Sequence, residues 1–146
     1  MSHYRGLLAE TVAFRGHNGD QGEAYYTKPT DAGKYPGIVV IHHLPGWDEW
    51  TTEVVRKFAL HGYATISPHL YFREGSESPD DLGARVRAAG GVADAQVLGD
   101  VAGAMAFLRA QPDANGKIGV IGFCSGGRHT YLAACTLPGI DAAVDC

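Results

Sequence analysis

The run Gly122-Phe123-Cys124-Ser125-Gly126-Gly127 sets a thiol among glycines. It directly follows the β-branched stretch Ile118-Gly119-Val120-Ile121 and directly precedes a helical segment, Arg128 to Cys135. Strand, sharp turn and helix in that order are what a nucleophile needs if it is to stand above the end of a sheet. The glycines leave room for strand and helix to pack closely. The following helix aims its first N–H groups at the sulfur's position, where they favour negative charge. A thiol at such a helix start has its thiolate form favoured. The chemistry this predicts is acyl transfer, with Cys124 attacking a carbonyl. The N–H of Ser125 is one expected oxyanion donor, and the N–H of Leu44, on the loop after the third strand, is the other. The competing readings are a packing cysteine in a glycine-rich turn and a phosphate-binding loop, though no Gly-Lys-Ser/Thr follows. Cys135 and Cys146 are read as packing residues, one on an apolar helix face and one at a strand end.

Other side chains with chemical potential sit on neighbouring strand ends. His42 and His43 are adjacent, so on a strand they point to opposite faces. A metal cluster of His43, His69 and Asp48 matches no standard ligand spacing. Neither a metal nor a cofactor is expected. Trp47, Trp50, Tyr71 and Phe72 lie on the same loops and suit pocket walls or caps on the core edge. Trp47 and Tyr71 are the substrate-contact candidates. In open α/β sheets, ligands bind at the C-terminal ends of the strands.

These residues need a sheet to position them, and the patterning supplies one. Leu7 to Phe14 and Gly22 to Lys28 read as strands of a hairpin around Gly16-His17-Asn18-Gly19-Asp20. Ile38-Val39-Val40-Ile41 reads as a strand buried on both faces. Trp47 to His61 reads as a helix with Val54, Val55, Phe58 and Ala59 on its apolar side, ended by Gly62. Tyr63 to Ser67 is a short buried strand. Pro79 to Ala89 is a helical piece interrupted by Gly90-Gly91. Val92 to Arg109 is a longer helix with the stripe Val97, Val101, Ala104, Met105 and Leu108. Ile140 to Cys146 is a final strand. After the hairpin the order is β-α-β-α-β-α-β, which implies a mostly parallel sheet with helices on both faces. No repeat or linker divides residues 1–146, so one domain is expected.

Composition narrows the function classes. The chain has 146 residues, 45% hydrophobic and 19% charged, with a formal net charge of -4. A net negative chain has no basic field for nucleic acid. No apolar run approaches membrane-span length. The start, Met1-Ser2-His3-Tyr4-Arg5-Gly6, has no charged-then-apolar leader design, so a cytoplasmic location is the default expectation. Three cysteines without close pairs argue against a disulfide framework or a zinc site.

The sequence resembles the dienelactone hydrolase family of α/β-hydrolases. Three blocks in the right order carry the resemblance. They are Gly37-Ile38-Val39-Val40-Ile41-His42-His43-Leu44-Pro45-Gly46, then His61-Gly62-Tyr63-Ala64-Thr65-Ile66-Ser67-Pro68-His69-Leu70-Tyr71-Phe72-Arg73, then the Cys124 elbow. A cysteine in Gly-x-Cys-x-Gly-Gly is unusual among α/β-hydrolases. The resemblance implies hydrolysis of an ester or lactone through an acyl-cysteine by a Cys-His-Asp triad. It also implies that Arg73 stands where the family has an arginine for a substrate carboxylate, a role suited to a guanidinium. An ordinary loop arginine is the equal alternative.

Two departures stand out. His43 occupies the place of a family glutamate that helps to generate the thiolate; it suits either a proton acceptor or a polar pocket wall. In addition, acid and base normally follow the nucleophile in chain order, yet the 22 residues after Cys124 hold Asp141 and Asp145 and no histidine but His129. The helix carries His129 away from the nucleophile. The expectation is an α/β-hydrolase domain truncated after the strand that follows the nucleophile helix. A missing C-terminal segment would supply Asp and His, and a homodimer or that segment would cover the exposed edge. Two further possibilities are a catalytically incomplete paralogue with a binding or interaction role, and an unconventional catalyst using His43 as base for Cys124.

Overall fold

The β-branched runs around Val39 and Val120 become the centre of the sheet, because helices cover both of its faces. In the computed structural model, which describes residues 6–146, the strands are β1 (Leu7–Arg15), β2 (Gln21–Pro29), β3 (Tyr35–Ile41), β4 (Ala64–Pro68), β5 (Ala114–Gly122) and β6 (Ala142–Asp145). The helices are α1 (Glu49–Leu60), α2 (Pro79–Ala88), α3 (Asp94–Ala110) and α4 (Ser125–Thr136). The strand order is β1-β2-β4-β3-β5-β6. β1 and β2 form the expected hairpin and β2 runs antiparallel to β4, while β4, β3, β5 and β6 are mutually parallel. The leader reading of Met1 to Arg5 lies outside the described residues. No helix among the described residues is long and apolar enough to cross a membrane.

Each helix shows why it forms where it does. Asp48 caps α1 by accepting from the Thr51 N–H, and Thr51, Val55 and Ala59 are its buried residues at i, i+4, i+8. The helix therefore starts two residues later than the periodicity of Trp47 to His61 suggests. Its end is a Schellman turn: Tyr63 N–H donates to Phe58 O, Gly62 N–H donates to Ala59 O, and Gly62 takes φ 95°. Ser78 caps α2, with Pro79 in its first turn. The buried face of α3 is the stripe read from sequence, with one addition, Asp100.

Two layers of core result. Val97, Val101, Ala104, Met105 and Leu108 of α3 pack with Val39, Ile41, Ile66, Ile118 and Val120. Each fully buried side chain of this kind contributes roughly 1.5–3 kcal/mol. Val40, Val55 and Ala59 are also fully buried but stand apart from that cluster, on the α1 side of the sheet. There Thr27 Oγ1 donates to Val55 O at 3.0 Å. β6 is an edge strand exposed along its length.

Candidate active site

The elbow between β5 and α4 is built from close approaches. A Cβ at Gly122 would strike the Gly126 carbonyl, and one at Gly126 would strike the carbonyl oxygens of Ile41 and His42. A Cβ at Gly127 would lie 2.7 Å from Cys146 O. Backbone atoms fill these places, joined by Thr130 Oγ1 at Gly122 and Asp145 Oδ1 at Gly127, so only glycine lets α4 start this close to β3 and β5. Between them Cys124 takes φ 57° and ψ −117°. It is one of two non-glycine residues at positive φ among those described, and its side chain is exposed. The Cys124 N–H is used by the residue after β6, donating to Cys146 O at 2.7 Å, while Cys146 N–H donates to Gly122 O at 3.0 Å. Among the described residues, the N–H groups of Ser125 and Leu44 have no protein acceptor.

The Leu44 loop is seated from two sides. Tyr71 Oη donates to Leu44 O at 2.9 Å, and burial pushes the Tyr71 hydroxyl up to about 12, so it stays a donor. From α2, Gly83 lies against Leu44 and Pro45, where a Cβ would come within 2.8 Å of Leu44 O. Leu44, Tyr71, Ser125, Arg128 and His129 share a cavity of about 350 Å³. A second cavity, of about 440 Å³, is lined by Trp47, His69, Tyr71 and Phe72. Tyr71 faces both.

The histidines divide into three environments. His43 Nε2 lies 2.7 Å from Asp48 Oδ2, and its ring stacks on Trp50 at 4.9 Å. Trp50 in turn meets Phe123 edge-on at 4.9 Å. His69 stacks instead on Trp47 at 5.3 Å, so the two histidines of the hypothetical metal cluster are separately engaged. His42 is fully buried: Leu70 N–H donates to its Nε2 at 3.1 Å, which puts the ring proton on Nδ1, 2.8 Å from His43 O. Burial lowers its pKa to about 4. Burial also lowers His69 and His129 below their ordinary value.

A pH dependence follows from His42. The unfolded chain takes up this proton below about pH 6.5, whereas the folded ring resists it to about pH 4. Stability from the neutral ring is therefore complete above 6.5 and is lost as pH falls towards 4. Denaturant titrations should show a loss on the order of 3 kcal/mol across that window. The His42→Gln protein should show a flatter profile; equal slopes in both would assign the acid loss elsewhere.

Two cysteines are not packed as the sequence suggests, and Arg73 is engaged within the protein. Arg73 makes a two-pronged bridge to Asp100, Nη1 to Oδ2 at 2.9 Å and Nη2 to Oδ1 at 3.0 Å, while its Nε donates to Asp20 Oδ2 at 2.8 Å. Its donor edges are occupied by the protein rather than offered to a pocket. Cys135 and Cys146 are exposed, not packed. The buried residues of α4 are Gly126, Gly127, Thr130 and Ala133, and Cys135 lies about 200° round the helix from Ala133. Cys146 follows the exposed edge strand. Neither aspartate after Cys124 pairs with a histidine among the described residues; Asp141 Oδ2 accepts from Ile118 N–H at 2.9 Å.

Comparison with known proteins matches this architecture. The model of the dienelactone hydrolase family fits residues 23–146. A Salmonella typhi protein assigned as a carboxymethylenebutenolidase is 35% identical over 144 residues, covering 95% of this chain and 53% of its own length. The carboxymethylenebutenolidase of Pseudomonas putida is 30% identical over 134 residues, covering 88% and 56%. A crystal structure from Klebsiella pneumoniae, assigned as a dienelactone hydrolase, superposes with TM-score 0.84 at 30% identity, over 96% of this chain and 59% of that one. The chain thus spans about half the length of the curated relatives it matches.

Proposed function

Because the chain belongs to the dienelactone hydrolase family, we propose that it hydrolyses a carboxylic ester or lactone through an acyl-cysteine at Cys124. The observation that carries this reading is the elbow: an exposed thiol held at φ 57° at the start of α4. A non-glycine residue in that region costs on the order of 1–3 kcal/mol and persists where its surroundings over-determine it. Here three glycine contacts and the β6 ladder do so.

In the proposed cycle the Cys124 thiolate attacks the substrate carbonyl. The N–H groups of Ser125 and Leu44, unpaired among the described residues, receive the developing oxyanion. Collapse of the tetrahedral adduct breaks the carbon–oxygen bond and releases the alcohol. Water then cleaves the acyl-cysteine to free acid and thiol. Tyr71, which faces both cavities, and Trp47 form apolar walls for the substrate. Arg73, engaged by Asp100 and Asp20, is given no substrate contact, which favours an uncharged ester over a carboxylate-bearing one. The triad's Asp and His, which would activate the water of the second step, are assigned to the part of the family's length that this sequence does not span.

The test is to trap the intermediate with a slowly deacylating aryl ester, digest with trypsin and weigh the peptides. Cleavage after Lys117 and Arg128 isolates Cys124 on Ile118–Arg128, away from Cys135 and Cys146. The acyl group is expected there. Hydrolysis with the label on the other cysteines, or on none, would overturn the proposal.

A further inference from the structure

Building on the acyl-cysteine reading, we infer that Asp48 is the positioning residue that presents His43 as acceptor of the Cys124 thiol proton. An ionised carboxylate accepts only, so the proton in the 2.7 Å contact belongs to His43 Nε2 and leaves Nδ1 with a lone pair. Among the described residues Nδ1 has no hydrogen-bond partner. Asp48 is fixed at its other oxygen, which accepts from Thr51 N–H at 2.9 Å as the α1 cap. Burial alone would raise the Asp48 carboxyl, but the Thr51 amide and the His43 ring outweigh it and hold the group below its ordinary value.

The ring's place relative to the thiol follows from register. Ile41 of β3 pairs with Gly122 of β5, so His43 and Cys124 each stand two residues beyond that pair, just past the C-terminal ends of neighbouring parallel strands. Trp50 bridges their elements, stacking on His43 and meeting Phe123, the residue before Cys124. No hydrogen bond joins the sulfur to the ring, and the transfer runs over one water. The proton leaves Cys124 Sγ, the water passes a proton to His43 Nδ1, and the products are a thiolate and an imidazolium whose Nε2–H stays on Asp48. The imidazolium later protonates the departing alkoxide. Ionisable groups on the elements around the pair include His42, occupied by Leu70, Glu49 of α1, bound to Arg56, and on the elbow side His129, Cys146, Asp145 beside Gly127, and Arg128, bound to Asp94.

Asp48→Asn separates orientation from folding. Asparagine caps a helix as well as aspartate, so α1 is retained. Its NH2 group, however, donates to Nε2 and drives the ring proton onto Nδ1, which removes the acceptor. The readout is the rate of iodoacetamide alkylation of Ile118–Arg128 against pH, in the whole protein, with the other cysteine peptide as internal control. Asp48→Asn and His43→Gln should each raise the midpoint by about one pH unit, a rate ~10-fold lower on the acid side, and the double variant no further. Profiles of both variants that coincide with the parent would overturn the inference. Unshifted profiles with Cys124-dependent hydrolysis intact would sink the dyad alone. Shifted profiles in a protein that hydrolyses no ester would sink the acyl-cysteine reading alone.

Discussion

Cys124→Ala should lower ester turnover by about 10⁴-fold or more while leaving thermal stability nearly unchanged. The activity loss is large because the proposed reaction is covalent: without the sulfur there is no intermediate, and the amides of Ser125 and Leu44 can polarise a carbonyl only for water. The stability change is small because the side chain is exposed. An exposed substitution of this kind stays within roughly 0.5 kcal/mol. Alanine also meets the same φ 57° strain as cysteine, so none is released. Cys124→Ser is expected to fall between the two, since a hydroxyl is harder to deprotonate than a thiol. The measurement is aryl ester hydrolysis beside a melting curve on the same preparation. Turnover within a few-fold of the parent in the folded alanine variant would place the nucleophile elsewhere.

The elbow was legible in the sequence because its constraints are local. Gly122, Gly126 and Gly127 have to be glycine for contacts made within one turn or on the next strand, and the β-branched run before them and the apolar helix after them are short-range patterns. The strands β3 and β5 and the stripe on α3 were legible for the same reason. The α1 start was displaced because periodicity alone ignores the cap. Asp48, a preferred N-cap residue ahead of the apolar periodicity, is the signal that fixes it.

The pairings across the loops were not legible. His43 and Asp48 are five residues apart, but what brings them together is the turn at Gly46, with φ 91° and its N–H on His43 O. That turn is held by Tyr71 and Gly83 from distant parts of the chain. Asp100 did carry a signal: a carboxylate in register with Val97, Ala104 and Leu108 on a buried helix face demands a cation. Periodicity does not say which one. The answer, Arg73, is 27 positions earlier and depends on the path of the segment after β4.

That pairing yields the other large expected effect. Arg73→Ala should destabilise the fold by about 3–5 kcal/mol. Asp100 is 0% exposed, and its oxygens take Nη1 and Nη2 of Arg73 and the His17 N–H at 2.9 Å. Removing the guanidinium strands a buried carboxylate on a single amide, and it also unties the hairpin turn and the post-β4 segment from α3. At roughly 2–4 °C per kcal/mol for a chain of this size, the melting temperature should drop by about 10 °C. Arg73→Lys should recover only part, because an ammonium cannot make the two-pronged contact. Replacing both partners, with Arg73→Met and Asp100→Leu, should be far milder than Arg73→Ala, since no charge is then left buried. A substrate-clamping arginine would behave in the opposite way: the melting temperature would hold, and KM for a carboxylate-bearing ester would rise while KM for an uncharged one did not. Because the guanidinium is already spent on Asp100 and Asp20, we expect the stability loss together with an unchanged KM for uncharged esters in the protein that remains folded.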